Sequence, residues 1–170
     1  MRFRFNVMVN GFVLVSVAVQ SATAEALAHA DILNTQGEKI DEADIASTDQ
    51  GFKVALKALN PSPREHGIQI QTGGKCENPA LTSVGGHFNP ASAHYCAHNS
   101  GNPDLLLGDL PSLVVGNNDI GILNFVADCF THGDGADSIF HEKGASSLDH
   151  AKPDNLMPDS SGNCGDRIAC

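Results

Sequence analysis

The chain is 170 residues long and carries 20 acidic against 10 basic side chains, a formal charge of −10 at pH 7. So acidic a chain repels nucleic-acid phosphates and anionic bilayers, and neither is expected as a partner. The length suits one compact domain.

Residues 1–24 read as an export signal rather than as part of the fold. Arg2 and Arg4 make a positive start, Gly11 to Val19 are almost wholly apolar, and Ala22-Thr23-Ala24 offers small residues for cleavage. The apolar stretch is shorter than the roughly 20 residues a membrane-spanning helix needs. Cleavage after Ala24 would leave residues 25–170 as a single, more acidic domain, periplasmic or secreted and no longer attached to the membrane. Five cysteines in an exported chain call for at least one disulfide and leave an odd thiol.

Further along, alternation dominates over helical periodicity. Phe52, Val54 and Leu56 alternate with Lys53, Ala55 and Lys57, the pattern of a half-buried strand. Asn60-Pro61-Ser62-Pro63 marks a turn. Ile68 and Ile70 then alternate with Gln69 and Gln71, which puts both glutamines on one strand face, expected toward solvent. Val114-Val115, the turn-prone Gly116-Asn117-Asn118-Asp119 and Ile122 to Val126 predict a hairpin. Two long segments, from Cys76 to about Pro111 and from about Ala151 to Gly165, are too rich in Gly, Asn, Pro, Asp and Ser for strands. Short strands between such clusters predict an all-β sandwich or barrel.

Four motifs sharpen this. Gly85-Gly86-His87-Phe88-Asn89-Pro90, Gly108-Asp109-Leu110-Pro111, His150-Ala151-Lys152-Pro153-Asp154 and Gly165-Asp166-Arg167-Ile168-Ala169-Cys170 follow one another in the chain. Together they resemble the copper/zinc superoxide dismutase family in its bacterial exported form. The resemblance implies an eight-stranded Greek-key β-barrel with long metal-site loops outside one wall. It implies copper and zinc as cofactors and superoxide as substrate, and it leaves a homodimer open. His87 matches the histidine that bridges the two metals, and His150 a copper ligand, with His141 in His141-Glu142-Lys143 as a rival. Asp109 matches the zinc carboxylate, and His98 a zinc histidine, with His94 as competitor. Asp154 matches the carboxylate that orients ligands on both sides. Arg167 matches the arginine that draws superoxide, and His66 a structural histidine. Cys76 and Cys170 match the family's intrachain disulfide; Cys96, Cys129 and Cys164 have no counterpart. His29 and His132 are left as surface residues.

The departures matter as much. Where the family reads His-Gly-Phe-His-Ile-His, this chain reads His66-Gly67-Ile68-Gln69-Ile70-Gln71. Two copper-binding histidines are thus glutamines, and a carboxamide is a far poorer copper donor than imidazole. Leu106 stands where a third zinc histidine belongs, which leaves three zinc ligands, the number of an open rather than a closed site. The expectation is an exported superoxide dismutase by descent, with activity weak or lost. The alternatives are a non-enzymatic metal-binding or sequestering protein, and a pseudoenzyme that keeps the fold as an interaction surface.

Overall fold

Alternating apolar residues can be buried only if strands pair with one face inward, and antiparallel pairing joins every strand of the described residues. A computed structural model describes residues 26–48, 51–59, 64–89, 106–127, 131, 133, 135, 138–154 and 164–170. These form β1 (Ala26–Leu33), β2 (Lys39–Thr48), β3 (Gly51–Leu59), β4 (Glu65–His66), β5 (Ile68–Gln71), β6 (Leu113–Val114), β7 (Ile120–Ala127), β8 (Ser146–His150) and β9 (Arg167–Ala169). There is no helix among the described residues. β4 and β5 are separated only by Gly67, so these nine segments correspond to the eight strands expected.

One antiparallel sheet runs β1-β2-β3-β7, a second β5-β8-β9, and β4 pairs with β6. In β3 the predicted alternation holds, with Phe52, Val54 and Leu56 buried and Lys53 and Lys57 exposed. The core between the sheets gathers Phe52, Leu56, Ile68, Phe88, Leu113 and Leu123. The predicted hairpin is present in altered form: Val115 bridges to Gly121, and Gly116 N donates to Ile120 O across the turn.

Two features position everything discussed below. First, β5 is held on both edges. β8 pairs along one, while on the other Gln69 bridges to Asp109 and Gln71 to His87. Ile70 N donates to Gly108 O, and Phe88 N to Ile70 O, each at 2.8 Å. Gly108 is required there, because a Cβ would fall onto Ile70 O and within 2.9 Å of Phe88 N. Second, among the described residues the seam between the sheets is closed at one end only. Leu33 and Cys170 exchange backbone hydrogen bonds of 2.8 and 2.9 Å, and Asn34 bridges to Ala169. Along its first half β1 pairs with β2 and, among the described residues, with nothing on its other edge.

The Cys76–Cys170 disulfide is formed, across a sequence separation of 94 residues. It pins β9 to the segment that leads into Gly85–Phe88.

Candidate metal centre

Gln69 and Gln71 share the face of β5 opposite Ile68 and Ile70, as alternation requires. The expectation that this face meets solvent is corrected by the structure: Gln69 is 0% and Gln71 1% exposed. The cause is tertiary. The backbone at 87–88 and 108–109 flanks one edge of the strand, and the 151–165 region brings Asp154 and Cys164 against Gln69. Residues that look like free loops in sequence supply part of a buried polar cluster.

Within it the Gln69 amide is fully engaged. Its Nε2 donates to Asp154 Oδ2 at 2.9 Å and approaches the Cys164 thiol at 3.5 Å. Its Oε1 lies 3.1 Å from His150 Nε2. His150 Nδ1 faces Gly165 O, also at 3.1 Å, so both ring nitrogens meet oxygens and a neutral ring can donate to only one. Burial pushes the His150 pKa down. The Gly165 carbonyl opposes that shift, and the charges of Arg167 and His87 add to it. Gln71 Nε2 lies 3.3 Å from Gln69 Oε1. Turning its amide over would instead let the NH2 group donate to Gly86 O at 3.0 Å and Gly85 O at 3.3 Å, which the two carbonyls favour.

On the other side of β5, His87 Nδ1 and Asp109 Oδ1 are 2.7 Å apart, each side chain 8% exposed. Asp109 Oδ2 accepts from the backbone N–H of Leu106 at 2.7 Å. Leu106 thus touches the carboxylate through its backbone and offers no side-chain donor. His98 and its competitor His94 lie outside the described residues, as do Cys96, Cys129 and His132.

The remaining motif residues have definite places. Arg167 Nη1 donates to Leu81 O at 2.7 Å. His66 Nδ1 meets His150 O at 2.8 Å, which ties β4 to the end of β8. His141 stacks on Phe88 at 5.8 Å between ring centres, whereas His150 is the histidine in contact with Gln69. His29 is exposed, as expected, and pairs with Asp44 at 2.7 Å and Asp31 at 3.3 Å.

Sequence reasoning missed three buried groups. Cys164 is a buried thiol beside Gln69. Asp41 and Asp149 are each 4% exposed. Burial first, and then the Asp41 charge, push the Asp149 carboxyl up to about 8. No sequence signal marked Asp149: it is the pairing with Ile68 that turns it to the barrel interior.

Among the described residues the donors fit copper poorly and offer zinc an incomplete set. Among the described residues no group of three or more His, Cys, Asp or Glu side chains is arranged to hold a metal ion. Of the residues that the resemblance assigns to copper, those at 69 and 71 are carboxamides, weak donors beside imidazole. Of those it assigns to zinc, His87 and Asp109 are joined to each other. No reaction step through either metal follows from this arrangement.

Comparison with known proteins agrees with the geometry. Residues 39–170 match the family model described as copper/zinc superoxide dismutase. A copper-zinc superoxide dismutase of Aquifex aeolicus is 37% identical over 155 residues, covering 88% of this chain and 89% of that protein. A superoxide dismutase-like protein of Bacillus subtilis is 30% identical over 146 residues, covering 84% of this chain and 73% of that one. The crystal structure of a double mutant of a SOD-like protein from Bacillus subtilis superposes with a TM-score of 0.73 at 30% identity, covering 84% of this chain and 94% of the other. By fold, motif order and sequence, the chain belongs to the copper/zinc superoxide dismutase family.

Proposed function

We propose that the protein is an exported member of this family, delivered by the 1–24 signal, in which superoxide dismutation is weak or lost. The observation that carries the proposal is the Gln69 amide. It donates to Asp154 and faces His150 Nε2, so the side chain that the family resemblance assigns to copper already has a partner. Gln71 removes a second imidazole from the same face, and Leu106 removes one from the zinc side. Arg167, assigned by the same resemblance to attracting superoxide, is held by its hydrogen bond to Leu81 O.

The test restores both histidines. Gln69→His with Gln71→His should raise copper affinity by at least about tenfold, since both side chains project from one strand face and imidazole replaces a weak donor. Superoxide turnover per bound copper is compared for parent and double variant after loading. A parent as active as an intact relative would overturn the proposal. Unchanged copper binding in the double variant would overturn the assignment of this strand.

A second reading has its own observation. The buried His87–Asp109 pair, with His98, would supply three zinc donors without copper, which favours a non-enzymatic zinc-binding protein. His87→Ala should then abolish stoichiometric zinc uptake while His29→Ala leaves it intact, as read by elemental analysis.

A further inference from the structure

Gln69 lies beside a point where three stretches of backbone are drawn together. Gly67 N donates to Lys152 O at 2.8 Å, His150 N to Gly67 O at 2.9 Å, and Lys152 N to Cys164 O at 2.8 Å. A Cβ at Gly67 would stand only 3.0 Å from Cys164 Sγ and 3.1 Å from Asp154 N, so a glycine there eases the approach. The side chains of His150, Asp154 and Cys164 then converge on one carboxamide, that of Gln69.

The match is chemical as well as spatial. A carboxamide carries two N–H donors and a carbonyl acceptor at one end. Its nitrogen faces the two acceptors, Asp154 Oδ2 and Cys164 Sγ, and its oxygen faces the ring nitrogen of His150. Gln69 is wholly buried, so these contacts are not shared with solvent. A glutamate in its place would bring only acceptors against Asp154, and a leucine or methionine would bring no N–H donor at all. A metal ion draws imidazole, carboxylate and thiolate together by accepting their electron pairs. The amide reaches the same three types of group through hydrogen bonds.

We infer that the Gln69 carboxamide is a built-in replacement for a metal ion as the structural organiser of this site, holding Asp154 and Cys164 against β5 whether or not metal is bound. The inference rests on the reading of Gln69 given under the proposed function, but it concerns the order of the site and not its turnover. The rival is that the backbone bonds around Gly67 hold the region unaided.

The experiment follows alkylation of the buried Cys164 thiol by iodoacetamide in the full chain, read by mass spectrometry from the peptide that contains it. In the parent the rate should be the same in excess EDTA and in excess zinc, a metal that does not oxidise thiols. Gln69→Met keeps the side chain's length and loses its amide bonds, and should raise the rate by about tenfold or more through easier local opening. Gln69→His with Gln71→His should transfer the protection to the metal, with alkylation slow in zinc and about tenfold faster in EDTA. Parent protection that collapses in EDTA would overturn the inference, because a metal would then be the organiser. Gln69→Met as well protected as the parent would overturn it in favour of the backbone bonds. Protection in the double variant that ignores zinc would overturn it too, since amide and metal would not share one place. A parent that turns over superoxide efficiently yet keeps Cys164 protected in EDTA would sink the weak-activity reading and support this one, so the two fail separately. If Gln69→Met does not fold, the parent and the double variant still decide the matter.

Discussion

Gln69 and Asp149 sit on neighbouring strands of one sheet and face opposite ways, and each is a polar residue where burial is nearly complete. Gln69 is satisfied by Asp154 and faces His150; Asp149 Oδ1 has no hydrogen-bond partner among the described residues. The consequence for Asp149 is a pH dependence whose sign can be worked out. Its carboxyl is raised from 3.8 to about 8 by burial and by Asp41, so between those values the folded chain holds a proton that the unfolded chain releases. Stability should therefore fall as pH rises from about 4 to about 8 and level off above. Asp149→Asn should flatten that decline and be more stable than the parent at pH 8 by on the order of a few kcal/mol. Urea midpoints at pH 5 and pH 8 check this; parallel declines in both proteins would place the buried charge elsewhere. The shared face of Gln69 and Gln71 was legible in the sequence, since alternation fixes it. Their burial was not, because it depends on residues distant in sequence, Asp154 and Cys164 against Gln69 and the backbone at Gly86 and His87 against Gln71. Asp149 was illegible for a related reason: only the pairing with Ile68 reveals which way it points.

Among the elements, β3 and the β6–β7 hairpin announce themselves through alternation and a Gly-Asn-Asn-Asp turn. β8 does not. Ser146-Ser147-Leu148-Asp149-His150 has one apolar residue, and its strand state comes from pairing with β5 and β9 rather than from local preference. The motif Gly108-Asp109 was visible, but its structural task was not. It carries the chain against β5 so closely that Gly108 admits no side chain. Gly108→Ala should lower stability by about 2–4 kcal/mol, because the atoms it would strike are backbone and cannot move aside. Chemical denaturation measures the loss. A midpoint within error of the parent would mean that the 106–110 segment can lift from β5, and that the His87–Asp109 pair is not held in place by it.

Taken as a whole, the molecule is a barrel fastened at one end by covalent and hydrogen bonds. Cys76–Cys170 closes a loop of about 90 residues, for which the chain-entropy model gives about 4–5 kcal/mol. Cys76→Ala with Cys170→Ala should lower the unfolding free energy by about 3–5 kcal/mol. Hydrogen exchange should also show β9 amides released ahead of those in β3. Simultaneous exchange of both strands would show that β9 is held without the bridge. This pairing came from motif resemblance and could not have come from spacing, since five cysteines allow too many partners. The opposite end of the seam has a consequence of another kind. Along the first half of β1 the edge away from β2, unpaired among the described residues, presents a row of amides and carbonyls, the template on which two sheets from different molecules can join. A formal charge of −10 pushes such encounters apart. That repulsion reaches only about 10 Å at 0.1 M salt and shortens as salt rises. Colloidal behaviour is thereby linked to the open seam: light scattering should stay low in dilute neutral buffer and rise as salt screens the carboxylates or acid neutralises them.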